Sequence, residues 1–502
     1  MPKKTHERER TVKKMKEKQM TVAKSNNGTG SGFKKGFLNV MQKICAFQKT
    51  DAYIYCVAAL VFLSNVLSLD LIIFVPLLLL VCITNLFSDD LKTTLPVIMM
   101  IAFGVSTGHS PAEGDGSYYL SAAVITVLAI TVALVFGTAI YRTVKDKAYK
   151  NINFRRGIGW GVAGYTVCLL LNGVFSGYYD VITFLLGLLF ALTFGPFYFF
   201  YASNIKKGDG KNAIDYISKI CVVLSCTIIA ELAVFYAINY RFGTLLDSAW
   251  KGKIYLGWGI SNPIGIMLAF LLPAYFHFVR KSQRGWIYYC LAALSFIAIY
   301  FTLCRDALLF GALAFAVCSV FCCIKGVNKK FSLIATITLG AIAAVIITLA
   351  FCGVFPESMF AFILSTKFSD RGRFDIWKNA FYVFYESPVF GGGFTAYSKK
   401  FNTSFFLGFS HNTVVQIVSS CGLFGFALFF FHRLQTIKLM FYKLNSERFF
   451  IVVQILTFIL MGLFDIMFLS PYCMIIYVVQ LAALENDSLD NPLFVATSFN
   501  FN

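Results

Sequence analysis

Fourteen long, nearly uninterrupted apolar runs constrain this chain more than any other feature. They fall near 52–69, 71–87, 93–109, 118–141, 157–176, 180–201, 214–240, 258–279, 285–304, 305–324, 331–355, 411–432, 449–469 and 471–485. Most approach or exceed the roughly 20 residues a helix needs to cross a hydrocarbon core. Barrel strands would alternate in polarity over about ten residues, and these runs do not. Because a bilayer offers no water to backbone polar groups, helices are the structures that remain. With 58% hydrophobic and 14% charged residues, a water-soluble globule would expose too much apolar surface. The expected fold is all-α: a polytopic membrane protein of about 12–14 transmembrane helices, with one large extracytoplasmic loop that contains a short amphipathic helix.

The net charge of +19 does not point to nucleic acid, because the basic residues gather in the N-terminal tail and in alternate short loops. Those loops carry Arg142, Lys145, Lys147, Lys150, Arg155 and Arg156; Lys206, Lys207 and Lys211; Arg280, Lys281 and Arg284; Lys325, Lys329 and Lys330; and Arg433, Lys438, Lys443 and Arg448. Only the loop at Asp89-Asp90 departs from the pattern. The positive-inside rule then places both termini in the cytoplasm. The expected organisation is a basic, disordered cytoplasmic tail (1–50), transmembrane helices 1–11 (51–355), an extracytoplasmic catalytic loop (356–410), transmembrane helices 12–14 (411–486) and a cytoplasmic C-terminal tail (487–502). The 14 cysteines lie mostly inside apolar runs and form no CxxC pair, so neither a disulfide framework nor a zinc site is expected.

Chemistry concentrates between Phe368 and Gly425, where charges, a glycine triplet and a His-Asn pair interrupt the apolar pattern. Asp370 suits the cap of a short helix starting near Gly372, with Phe374, Trp377, Phe381 and Phe384 on one face. The helix is too short to span and ends at Ser387-Pro388, which predicts an amphipathic segment on the membrane surface followed by a flexible turn at Gly391-Gly392-Gly393.

The order Arg373…Trp377, Pro388, Gly391 and Gly393, then His411-Asn412, Gln416, Gly422 and Gly425 resembles the signature of the O-antigen ligase and polymerase family. The resemblance implies a bacterial plasma-membrane glycosyltransferase that moves a glycan from a polyprenyl diphosphate carrier to an acceptor hydroxyl on a glycan, lipid or protein. It implies work in surface polysaccharide assembly at the outer leaflet, among membrane lipids. A chain-length regulator or export component would be its protein partners. No cofactor and no metal is expected.

Within that reading, His411, Arg373 and Arg305 are the candidate catalytic residues, and Arg371, Trp377, Asn412 and Gln416 the candidate substrate-binding residues. A guanidinium offers a planar fork of donors suited to a diphosphate and to the charge that grows on it. Arg305 follows Cys304, where the family has a Ser-Arg pair, so this match is partial. A histidine at a helix start is a general-base candidate toward the acceptor hydroxyl. Each has a plainer reading: Arg305 as a snorkelling anchor, Arg373 as a partner of Asp370 or Asp375, His411 as an interfacial residue. Glu231 and Asp465 are the weaker polar intrusions. Each would pair with an arginine, orient His411 or satisfy a helix neighbour. Gly161, Gly164 and Gly187 read as close helix packing. Two other classes stay open: a flippase or transporter of lipid-linked sugars, and a metal-dependent transferase using Glu113 and Asp115.

Overall fold

The computed structural model describes residues 32–67, 69–107, 122–152, 158–205, 209–239, 254–354, 372–403 and 410–489. Helix makes up 82% of it, and strand is confined to one small hairpin. This is an all-α polytopic membrane protein, and each of the fourteen apolar runs carries a helix. In chain order these are α2 (Asp51–Leu67), α3 (Asp70–Phe87), α4 (Leu95–Thr107), α5 (Ala122–Lys145), α6 (Gly159–Leu170), α7 (Val181–Asn204) and α8 (Gly210–Asn239). The hairpin β1 (Tyr255–Leu256) and β2 (Gly259–Ile260) precedes α9 (Ser261–Leu271) and α10 (Pro273–Lys281), which form one span broken at Pro273. Then come α11 (Gly285–Phe301), α12 (Arg305–Lys325), α13 (Lys329–Phe351), the loop helices α14 (Arg373–Glu386) and α15 (Ala396–Phe401), and α16 (Thr413–Phe441), α17 (Phe449–Met461) and α18 (Pro471–Leu489). Eight spans among the described residues are long and apolar enough to cross a bilayer alone. Several others, such as α6 and α17, are shorter apolar helices.

An apolar helix buried on every side belongs at the centre of a bundle, and one exposed on most sides faces lipid. The residues of α9–α10 from Ile264 to Phe276 are almost all inaccessible, as are those of α18 from Cys473 to Leu484. By contrast α13 exposes Ile334, Ile337, Val345 and Ile347. Between helices in lipid the hydrophobic effect is weak, so packing and internal hydrogen bonds hold the bundle, and small residues allow close approach. Gly161 lies against His432 and Gln435, Gly164 against Leu428, and Gly187 against Asn172. All three glycines therefore pack helices, as expected.

Three boundaries differ from the sequence reading. Residues 32–48 are not part of a disordered tail: they form α1 (Gly32–Gln48), an amphipathic helix bent 87° from α2. Its buried edge is Met41, Cys45 and Gln48, and Gln48 donates to Thr84 Oγ1 at 2.7 Å. The run at 411–432 continues as helix to Phe441, so His432 and Arg433 lie inside the bundle rather than in a loop. The helix at the C-terminal end also continues, past 486 to Leu489.

Connections alternate between two ends of the bundle. One end gathers residues 171–180, the hairpin, 302–304, the α14–α15 segment and 462–470; the other gathers 88–94, 146–151, 282–284 and 442–448. Lys49–Asp89, Lys92–Asp209 and Arg280–Glu447 pairs tie the second end together. That end also carries the basic loops.

Candidate functional site

At the first end, the backbone just before α16 is fixed by side chains from two directions. Trp377 of α14 donates its indole N–H to the Ser410 carbonyl at 2.7 Å, and Gln416 accepts from the Ser410 amide at 2.9 Å. Asn412 caps α16, accepting from the Val414 and Val415 amides at 2.9 and 3.1 Å. Its Nδ2 donates to the Leu463 carbonyl at 2.9 Å. Thr413 bonds across the same gap, from its amide to Gly462 O at 2.8 Å and from its hydroxyl to Asp465 O at 3.0 Å.

His411 sits between these anchors with φ of +48°, a left-handed conformation that costs a non-glycine residue about 1–2 kcal/mol. Such a residue persists only where its surroundings over-determine it. Its Nδ1 lies 3.4 Å from Asp465 Oδ1, and the imidazole is 37% exposed while the carboxylate is 8% exposed. The pair therefore has an open side on His411 and a fixed, sheltered side on Asp465, which also accepts from the Ile466 amide at 2.8 Å.

The arginines approach from neighbouring elements. Arg305 is the first residue of α12, after a three-residue link from α11. Arg373 opens α14, and its Nη2 is 3.8 Å from Asp306 Oδ2. Phe310, one turn along α12, packs against Phe464 at 5.6 Å between ring centroids. Contacts Arg373–Asp306, Phe310–Phe464, His411–Asp465 and Trp377–Ser410 thus link α12, α14, the start of α16 and the 462–470 connection at this end of the bundle. Arg305 adjoins Asp306 in sequence at the start of α12. Arg371, Asp370, His109, Glu113 and Asp115 fall outside the described residues. The observed N-cap of α14 is Gly372, with φ of +77° and no side-chain cap.

The glycine triplet is a packed junction rather than a flexible turn. The Gly392 and Gly393 amides donate to Ser419 and Ser420 carbonyls at 2.8 and 3.0 Å, and the Gly173 amide donates to Phe390 O at 3.0 Å. Gly391 and Gly422 have φ of +74° and +67°, and each meets the other's strand of backbone with no room for a side chain. The Ser419 and Ser420 carbonyls accept the Gly392 and Gly393 bonds, and the non-helical φ/ψ at Gly422 just beyond them breaks α16 into two helical pieces. The flexible turn expected at these glycines is therefore not what the chain builds.

Polar contacts extend the junction toward α7. Lys399 pairs with Asp180 at 2.9 Å, Thr395 hydrogen-bonds Thr183, and Glu386 accepts from Lys400 at 2.5 Å and Tyr178 at 3.0 Å. Burial acts to raise the Asp180 carboxyl, but Lys399 and the Thr183 donors outweigh it and hold it at about 2. Lys400 and Tyr178 hold Glu386 below its ordinary value. A carboxylate whose pKa is depressed on folding contributes fully above its unfolded value and loses the contribution as pH falls through the folded one. Docking of the α14–α15 segment is expected to persist from neutral pH to about 4 and to loosen toward pH 2. Hydrogen exchange at the Gly392 and Gly393 amides would report this. Unchanged protection across that window would contradict it.

Two polar clusters escaped sequence reasoning. In the bundle interior Arg433 lies 3.4 Å above the Phe468 ring and donates to Tyr477 Oη at 3.1 Å, while His432 stacks on Tyr165. Only the positive charge inside an apolar run could have signalled it. At the second end Asp215, His277 and Glu447 bring ligand atoms within 4.8 Å of one another. Lys281 already pairs with Asp215, and Arg280 and Lys211 with Glu447, so the cluster is an ion-pair network. Glu231 satisfies a neighbour, accepting from the Gly257 amide of the hairpin at 2.6 Å.

Residues 268–430 match the sequence pattern of a family described as O-antigen ligase. The match begins in α9 and includes Arg305, Arg373 and His411. No curated protein matches the chain.

Proposed function

Because residues 268–430 match the O-antigen ligase family, we propose that the chain is a member of that membrane-embedded enzyme family of surface polysaccharide assembly and that it transfers a glycan from a polyprenyl diphosphate to an acceptor hydroxyl. The pairing of half-buried His411 with sheltered Asp465, next to the Ser410 backbone that Trp377 of the Arg373 helix holds, supports this reading most directly.

In the proposed reaction the diphosphate lies against Arg305 and Arg373, and the first sugar faces His411. The acceptor oxygen attacks the anomeric carbon as the bond from that carbon to the diphosphate oxygen breaks. His411 takes the hydroxyl proton, and Asp465 orients the ring and stabilises the imidazolium. The lipid diphosphate leaves as an anion, and its growing charge is stabilised by the arginines rather than by a metal. Attack opposite the leaving group inverts the anomeric centre.

Trp377, Asn412 and Gln416 act here mainly by positioning. Their polar atoms hold Ser410 and the start of α16, which sets the strained backbone at His411. Binding at the outer leaflet, with both termini and the basic loops in the cytoplasm, completes the proposal.

The test supplies a synthetic polyprenyl-diphosphate oligosaccharide to purified protein in liposomes, with and without a chelator. Lengthened lipid-linked product identifies a polymerase, and transfer to a different acceptor a ligase. His411→Ala is expected to lower turnover by about 10²–10⁴-fold, the usual contribution of a positioned base. Lipid translocation that persists in His411→Ala, with no glycan transfer by the wild type, would replace the proposal with a transporter. Loss of transfer on chelation would replace arginine stabilisation with a metal.

A further inference from the structure

A cavity of about 240 Å³ lies between α3, α4, α5 and α7, toward the end of the bundle that carries the basic loops. It is lined by Val81, Phe136, Ile140, Phe197 and Phe200, with Asn85 as one of few polar groups. Phe136 meets Phe197 edge to face at 5.7 Å on its inner side, and Asn204 donates to Thr143 Oγ1 at 3.3 Å toward the loops. Between those two contacts α5 and α7 stand apart. The rest of α5 is bare, with Val127, Ile130, Leu134 and Tyr141 exposed, and the slot itself is open past Ile140 and Val144, which are exposed too. An apolar cavity of this kind does not hold water, which needs polar partners. In a bilayer the material at hand is an acyl chain.

The mouth of the slot says which lipid. Lys145 ends α5, Lys147 caps the short turn of helix Ala148–Asn151 that follows, and Lys150 lies within it. All three are exposed, and none belongs to an ion pair among the described residues. Arg142 is paired with Asp146 at 2.6 Å, and Lys92 on the facing connection with Asp90 and Asp209. The three lysines are thus the local unpaired charge among the described residues, and they are near neighbours in sequence of Thr143, Val144 and Ile152, which line the slot. Inside, Asn85 donates to Thr138 Oγ1 at 3.2 Å, while its Oδ1 is buried without a donor.

We infer that this slot binds one acyl chain of an anionic phospholipid whose phosphate rests on Lys145, Lys147 and Lys150. The bound chain fills the gap and braces α5 against α7. The inference stands apart from the transferase reading, since it uses none of the residues at the His411 end.

The experiment follows thermal unfolding of the full-length protein in detergent while dioleoylphosphatidylglycerol or dioleoylphosphatidylcholine is added. Phosphatidylglycerol is expected to raise Tm by about 3–6 °C and phosphatidylcholine to leave it within a degree or so. Lys145→Gln/Lys147→Gln/Lys150→Gln is expected to keep the baseline Tm and lose the response. Ala139→Trp, which fills the slot from α5, is expected to lose it as well. An equal response to both lipids, or a full phosphatidylglycerol response in the lysine variant, overturns the inference. The lysine variant alone decides the matter if Ala139→Trp does not fold.

Discussion

Arg373→Ala is expected to lower kcat of glycan transfer by about 10²–10³-fold while leaving the protein folded, the cost of removing one donor aimed at developing anionic charge. At rest Arg373 is 3.8 Å from Asp306 and about a third exposed, so its guanidinium is held near a carboxylate but not consumed by it. Its removal leaves Asp306 partly in solvent, which is a small structural penalty. The charge it faces grows as the glycosidic bond breaks, so the loss falls on kcat more than on KM. Arg373→Lys keeps the charge without the planar fork and is expected to recover only part of the rate. Measuring kcat and KM in liposomes, with unfolding temperature as the control, separates these effects. Wild-type turnover in Arg373→Ala would remove this arginine from the site.

The apolar runs revealed the helices because each residue in them has one physical demand, to avoid water, and that demand is local. The Arg373–Trp377 spacing placed both on one face of α14, and the His411-Asn412 pair marked the start of α16, for the same reason. Orienting His411 was legible as one of three roles open to Asp465, but not which of them the fold selects. The pairing depends on the Thr413–Gly462 and Asn412–Leu463 bonds, which join segments about fifty residues apart. The far end of α16 was not legible. His432 and Arg433 look like a loop until Tyr165, Phe468 and Tyr477 supply rings and a phenol for them. The glycine triplet was misread for a different reason: a hinge and a tight junction both call for a missing side chain, and sequence carries no sign of which neighbour fills the space.

That ambiguity is resolved by a set of alanine substitutions whose costs should differ in a fixed order. Gly372 has φ of +77° and open space where a Cβ would be, so Gly372→Ala is expected to cost only the left-handed conformation, about 1–2 kcal/mol. Gly391 has φ of +74°, and its Cβ would lie 2.3 Å from the Ser420 carbonyl carbon. Gly422 has φ of +67°, and its Cβ would lie 2.4 Å from Val389 O. Neither neighbour is the flexible tip of a side chain, so relief requires the backbones to part. The overpacking adds about 1–3 kcal/mol to the conformational cost. Parting them also breaks the Gly392 and Gly393 bonds to α16 and frees the segment that carries Arg373 and Trp377. Gly391→Ala and Gly422→Ala should therefore unfold at lower temperature than Gly372→Ala and lose transfer activity with it. Gly177→Ala, with open space and no positive φ, should match the wild type. A junction requires that order; a hinge predicts instead that Gly391→Ala stiffens the loop and leaves the melting temperature at the level of Gly372→Ala.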